Sequence, residues 1–222
     1  MSHETREALL DAAEALFMEK GFAATSLRSV AAAADANLAA THYHFGSKQG
    51  LLEAVVHRRV TPINQARLAN LDQLENENPD YKVEDILFAF LQPFMDGAAK
   101  NLPALIGRIF SEPPAVSRPL LEKQFGEVMA RYGQALSRIL PNLSTEELGW
   151  RIHYLVGSML QTVNLDTPIG SPGETELCKF RHLIHFASAG FKSPPLSLDG
   201  YAINVETNPG ISTPDNDVEA RS

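Results

Sequence analysis

Cysteine and tryptophan are almost missing: Cys178 and Trp150 are each the only residue of their kind in 222. A lone cysteine excludes an intrachain disulfide framework and suits a reducing compartment, so the expected location is cytoplasmic. Long apolar runs are missing too. Each is cut by a charge or a proline well before the roughly 20 residues a membrane helix needs, and no membrane partner is expected. The N-terminus, MSHETREALLDAAEALF, is acidic and amphipathic. It lacks the cationic-then-apolar order of a signal peptide. Positive charge is in short supply, with 19 Lys and Arg against 27 Asp and Glu and a formal net charge of −8. That balance argues against a general nucleic-acid coat but leaves room for a reader whose basic surface is confined to one small face. Nowhere do apolar and polar residues alternate for long enough to suggest strands. No acid–base pair stands with a nucleophile, and there is neither a phosphate-cradling Gly loop nor a credible metal set. These absences speak against an enzyme and give no reason to expect a cofactor.

What is present is helix, in a composition with enough apolar side chains for a real core (44% hydrophobic, 21% charged). The predicted class is all-α. A first helix is expected over about 4–20, with Leu9, Leu10, Ala13, Leu16 and Phe17 on one apolar stripe. Gly21 is placed to end it. Thr25 and Ser26 are capable N-caps for a second helix over about 27–34, whose Leu27, Val30, Ala31 and Ala34 face inward. Asp35-Ala36-Asn37 forms the turn; Asp35 falls where a left-handed residue is useful, and Asn37 caps a very short helix over about 38–44. Phe45 plugs the core, Gly46 breaks the helix, and Ser47 caps the next. A helix of about seven residues buries little and needs a reason to exist. Presentation to the DNA major groove, in a helix-turn-helix, is such a reason.

From Lys48 a long helix runs toward Leu74, with a kink or break expected at Pro62 that serves as either a hinge or a tolerated bend. Further helices are expected at about 83–99, 102–111, 117–140, 145–165 and 174–191. Pro103, Pro113-Pro114, Pro141 and TPIGSPG at 167–173 mark the breaks. The domain reading is a helix-turn-helix head at 1–47, a helical body at 48–192 with 48–74 as connecting helix, and a flexible tail at 193–222.

The segments LLDAAEALFMEKGFAATSLRSVAAAA at 9–34 and NLAATHYHFGSKQGLL at 37–52 resemble the N-terminal domain of the TetR family of bacterial transcriptional regulators. The specific part is Tyr43-His44-Phe45 followed by Gly46-Ser47-Lys48. The family commonly has Gly where Asp35 stands and an apolar residue where Thr41 stands. The resemblance implies an all-helical homodimer with a three-helix head and a ligand-binding body. Its partners would be double-stranded operator DNA, palindromic in sequence, and a small hydrophobic effector that releases a repressor. The wording of the head and EELGWRIHYLVGSMLQTV at 146–163 look most like the subgroup that includes fatty-acid-responsive repressors. An alternative from another class is a helical lipid or small-molecule carrier, or an enzyme, without operator binding.

On this reading the DNA-contacting residues are Thr25, Ser26, Arg28, Asn37, Ala39, Ala40, Thr41, His42, Tyr43, His44 and Lys48. The short helix has no Arg or Lys, so base reading falls to Thr41, His42 and the methyls of Ala39 and Ala40. Asn37 either reads an adenine or caps the helix. Arg28 is the nearest guanidinium. Phosphates fall to Thr25, Ser26, Tyr43, His44 and Lys48. Expected around the effector are Phe94, Ile109, Met129, Tyr132 and Tyr154, with Arg108 and Arg151 facing either an effector carboxylate or a neighbouring Glu. The last two helices are apolar on more than one side, which suggests a second buried surface. The expected dimer residues are Ile152, Leu155, Val156, Met159, Phe180 and Ile184. Cys178, His182 and His185 share one helix face, but packing explains them better than a metal site.

Overall fold

The computed structural model describes residues 3–96, 102–164 and 176–196. Among them are nine α-helices and no strand. Helix α1 (His3–Ala24) buries Leu9, Leu10, Ala13 and Phe17, as its spacing requires. Gly21 (φ 83°, ψ 168°) interrupts it. That backbone region is essentially closed to residues with a Cβ. Helix α2 (Leu27–Ala33) is capped by a reciprocal pair: the Ser26 hydroxyl accepts from the Ser29 amide, and the Ser29 hydroxyl accepts from the Ser26 amide, both at 3.0 Å. Asp35 takes φ 49°, the left-handed conformation expected of the turn. Helix α3 (Leu38–Phe45) starts on Asn37, whose Oδ1 accepts from the Ala39 amide at 2.8 Å.

Helix α4 (Lys48–Glu77) is capped by Ser47, which accepts from the Gly50 amide at 3.0 Å. It runs unbroken through Pro62. The expected break is absent because Pro62 faces solvent, where water can serve the carbonyl that proline leaves unpaired, while Val60 and Ile63 on either side are buried. Its first half joins the head through Arg58, which donates to Glu7 (3.2 Å), Asp11 (2.8 Å) and Glu14 (2.7 Å) on α1. Burial pulls the Arg58 pKa down, but these carboxylate bonds outweigh it and hold the group above its ordinary value.

The body is built from α5 (Val83–Met95), α6 (Leu102–Phe110), α7 (Pro114–Ile139), α8 (Thr145–Asn164) and α9 (Glu176–Lys192). Helix α7 starts three residues earlier than expected. Pro114 is its first residue, where a missing N–H costs nothing, so the diproline opens the helix as well as ending the loop. Helix α5 packs between α4 and α9; α7 packs on α4, α5 and α8; α6 lies against α1 as well as α8. The continuous core runs from Leu9 in the head to Phe191 at the end of α9. Residues 97–101, 165–175 and most of the expected tail lie outside the described residues. None of the described helices is long and apolar enough to cross a membrane. No group of three or more His, Cys, Asp or Glu is placed to hold a metal among the described residues.

Candidate nucleic-acid interface and internal cavity

Helix α3 has two clean faces. Ala40 and Thr41 are buried and Phe45 is half-buried, while Asn37, Leu38, Ala39, His42 and Tyr43 face solvent. Tyr43 is 74% exposed. The outward surface of this helix therefore consists of Leu38, Ala39, His42 and Tyr43. Leu38 was not singled out from sequence; a leucine at the first position of a helix looks like core until its neighbours are known. The His42 Nδ1 lies 3.2 Å from the Gly46 carbonyl. A carbonyl can only accept, so in this contact Nδ1 carries the proton, which leaves Nε2 as the acceptor of a neutral ring.

Four of the predicted DNA residues are placed differently from expectation. The Thr25 side chain is buried, its hydroxyl donating to the Gly21 carbonyl at 2.8 Å and lying 3.2 Å from that of Leu16. It secures the end of α1 and has no free donor for a phosphate. Ala40 and Thr41 are buried, because a helix of eight residues packed on α1, α2 and α4 needs those positions to stay attached. The Thr41 Oγ1 and the His44 Nε2 are buried without a hydrogen-bond partner. Arg28, by contrast, is exposed on α2 and makes no ion pair among the described residues. Ser26 is exposed at the N-terminus of α2, and Asn37 is committed to its cap through Oδ1.

Lys48 is engaged from behind. Its Nζ donates to the Ala23 carbonyl at 3.0 Å and lies 4.5 Å from the centroid of the Phe22 ring. It brings a positive charge from the start of α4 to the end of α1. Glycine is required at position 50, at the junction of α3 and α4: a Cβ there would stand 2.2 Å from the Phe45 carbonyl oxygen.

The body holds a cavity of about 430 Å³, lined by α4 to α8. Phe90, Phe94, Ile106, Met129, Ile152, Val156 and Met159 are among its apolar walls. Of the seven residues expected around an effector, Phe94 and Met129 are there. Ile109 and Tyr132 are buried but do not line it; the Tyr132 hydroxyl donates to the Arg67 carbonyl at 2.8 Å and its ring meets Phe90 edge-on at 5.1 Å, bracing the wall from behind. Burial raises the pKa of the Tyr132 phenol, which stays protonated and able to donate. Arg151 points away from the cavity. It donates to Glu147 and to the carbonyls of Gly190, Phe191, Ser193 and Pro194, at 2.8 to 3.1 Å, and so caps the end of α9. Tyr154 is exposed and stacks on Trp150. Arg108 lies over Gly21 in the head, where an added Cβ would come within 2.8 Å of its Nη2.

The cation that does reach the cavity is Arg67 of α4, 1% exposed. Burial pulls its pKa down to about 9, still well above neutral, so the guanidinium is charged. The sequence carried a signal for it. Arg67 continues the buried stripe Val60, Ile63, Leu71, a core position filled by a charge.

The six expected dimer residues all contribute to the packing of their own chain. Leu155, Met159 and Phe180 are buried, and Ile152, Val156 and Ile184 are half-buried against the core. The exposed apolar side chains of α8 and α9 are Trp150, Tyr154, Leu177 and Phe186, the last 73% exposed. Tyr154 and Phe186 border one surface depression between the two helices.

Comparison with known proteins fits this layout. The model of "Bacterial regulatory proteins, tetR family" matches residues 9–55. That of "Tetracyclin repressor-like, C-terminal domain" matches residues 88–190, and the two together cover more than half of the chain. The HTH-type transcriptional repressor BepR of Brucella suis biovar 1 is 31% identical over 91 residues, 41% of this chain and 43% of BepR. The "Probable HTH-type transcriptional regulator YttP" of Bacillus subtilis is 41% identical over 56 residues, 25% of this chain and 27% of YttP. The matches thus span less than half the length of either curated relative. Among solved structures, a tetR-family regulatory protein from Rhodococcus RHA1 is similar with a TM-score of 0.60 at 16% identity, over 89% of this chain and 100% of that one. A SmeT–triclosan complex is similar with a TM-score of 0.58 at 24% identity, over 86% of this chain and 96% of that one. Likeness at these identities is likeness of fold.

Proposed function

The chain belongs to the TetR family of bacterial regulatory proteins, and we propose that within it this transcriptional regulator is a cytoplasmic homodimeric repressor, released from a palindromic operator by a small hydrophobic effector. The division of labour is a DNA-binding head at 1–47, an effector-binding and dimerising body at 48–192 with 48–74 as connecting helix, and a tail beyond.

The observation that carries the reading is the exposed face of α3. His42 and Tyr43 stand out from a helix that is otherwise anchored by Ala40, Thr41 and Phe45, with the free cation Arg28 on the preceding helix. His42, Tyr43 and the Ala39 and Leu38 side chains meet base edges and methyls, while Arg28, Ser26 and Lys48 serve phosphates. Two such heads in one dimer occupy successive major grooves, about 34 Å apart. The second copy docks on the aromatic face of α8 and α9 carried by Trp150, Tyr154 and Phe186.

Helix α6 supplies a physical link between cavity and head. Ile106 and Phe110 line the cavity, Arg108 of the same helix covers Gly21, and Glu112 just beyond accepts from the Phe22 amide at 3.0 Å. An effector that displaces α6 displaces the end of α1, provided it binds that state more tightly. Retention on immobilised double-stranded DNA at low salt, with release at high salt, tests the reading. A carrier or enzyme of the same fold passes through at every salt concentration, and that result sinks the DNA-binding reading.

A further inference from the structure

We propose that the cavity takes an apolar molecule ending in a carboxylate, and that Arg67 is the group that recognises the charged end. This rests on the reading of the cavity as the effector site and names the chemistry it selects.

Arg67 is held by few partners. No acidic side chain among the described residues pairs with it. Its Nε donates to the Phe90 carbonyl at 3.0 Å, and its Nη2 has only the Met159 sulfur, a weak acceptor, at 3.4 Å. The guanidinium carbon lies 3.8 Å from the Phe90 ring centroid and 5.1 Å from that of Phe94. The charge is thus supported by aromatic faces and one carbonyl. A guanidinium offers five donors, and the bond to Phe90 that joins α4 to α5 needs one of them. A purely structural pin would be served by a neutral donor, without the cost of burying an unpaired cation.

The fold bears that cost before any ligand arrives. A carboxylate entering the cavity meets a cation that is already stripped of water and fixed in orientation, and its planar pair of oxygens matches the guanidinium fork. The rest of the ligand meets apolar walls, in a volume ordinary for small-molecule sites. Glu122, the one acidic residue on the lining, is exposed and does not pair with Arg67. A cationic ligand of the same shape would bring like charges together in the cavity.

Calorimetric titration of the full chain near neutral pH with decanoate, 1-decanol and decyltrimethylammonium tests this. Decanoate is expected to bind about tenfold or more tightly than decanol, and the ammonium not measurably. In Arg67→Met, of similar length and apolar, the preference for decanoate over decanol falls below about twofold while decanol still binds. Decanol binding as tightly as decanoate to the unmutated chain leaves the cavity standing and overturns the role of Arg67. A preference that survives in Arg67→Met overturns it equally. No binding by any of the three removes the cavity reading and this inference with it. If Arg67→Met fails to fold by circular dichroism, the three ligands on the unmutated chain still decide.

Discussion

At Thr41 a hydroxyl is fully buried and its oxygen has no hydrogen-bond partner. Replacing it by the same shape without the hydroxyl removes an unmet desolvation cost, so Thr41→Val is expected to raise stability by about 1 kcal/mol in urea unfolding. A destabilised Thr41→Val would mean that the hydroxyl has a partner after all. Gly50→Ala acts in the opposite direction. Its Cβ would stand 2.2 Å from a backbone oxygen that cannot swing away. The junction of α3 and α4 must shift, at a cost on the order of 1–3 kcal/mol, and operator affinity should fall with the unfolding midpoint. The capping residues at Ser26, Asn37 and Ser47 and the left-handed Asp35 were legible in the sequence because each acts on its own neighbouring backbone. Thr41 and Gly50 were not, since what decides them is a distant surface in one case and a carbonyl five residues back in the other.

On the proposed division of labour, the exposed face of α3 reads bases, while Arg28, exposed on α2 and without an ion pair among the described residues, serves phosphates. The two should therefore fail differently. His42→Ala is expected to reduce discrimination between operator and scrambled DNA, by about 1–3 kcal/mol, with the salt dependence unchanged. Arg28→Ala should weaken both DNAs alike and lower the slope of log affinity against log salt by about 1. Binding titrations at several salt concentrations distinguish them, and identical behaviour of the two variants would refute the division. The helices themselves were read from the sequence to within a few residues, but their rotational phase was not. Helices α8 and α9 are apolar on more than one side, so spacing alone could not say which side meets the chain's own core. Of the six residues expected at the dimer, Leu155, Met159 and Phe180 are buried in the chain's own core, while Ile152, Val156 and Ile184 are half-buried.

Across the molecule, the ends of the body are tied by long-range contacts that no local pattern announces. Lys192, at the end of α9, donates to Glu84 at the start of α5. That bond, more than the opposing effect of burial, holds the Glu84 carboxyl below its ordinary value of 4.5. A carboxyl whose folded pKa is depressed adds stability above its unfolded pKa and loses it as pH falls through the folded one. The stability lost in Lys192→Met is therefore expected at pH 7 and to shrink below a pH of about 4.5, as urea unfolding at several pH values would show. Both groups are well exposed, so the effect is small. On the proposed dimer face, Phe186→Glu should convert dimer to monomer in sedimentation while leaving the helical circular dichroism intact, because that side chain stands free of the chain's own core. The account as a whole rests on paired heads reading DNA through α3. Selection of bound sequences from a random double-stranded pool by the purified protein tests it most directly. The account predicts an enriched inverted repeat with half-site centres about one helical turn apart, bound at least tenfold more weakly by a variant carrying both Arg28→Ala and His42→Ala. Enrichment of no sequence, or of a site without dyad symmetry that the double variant binds equally well, would contradict it.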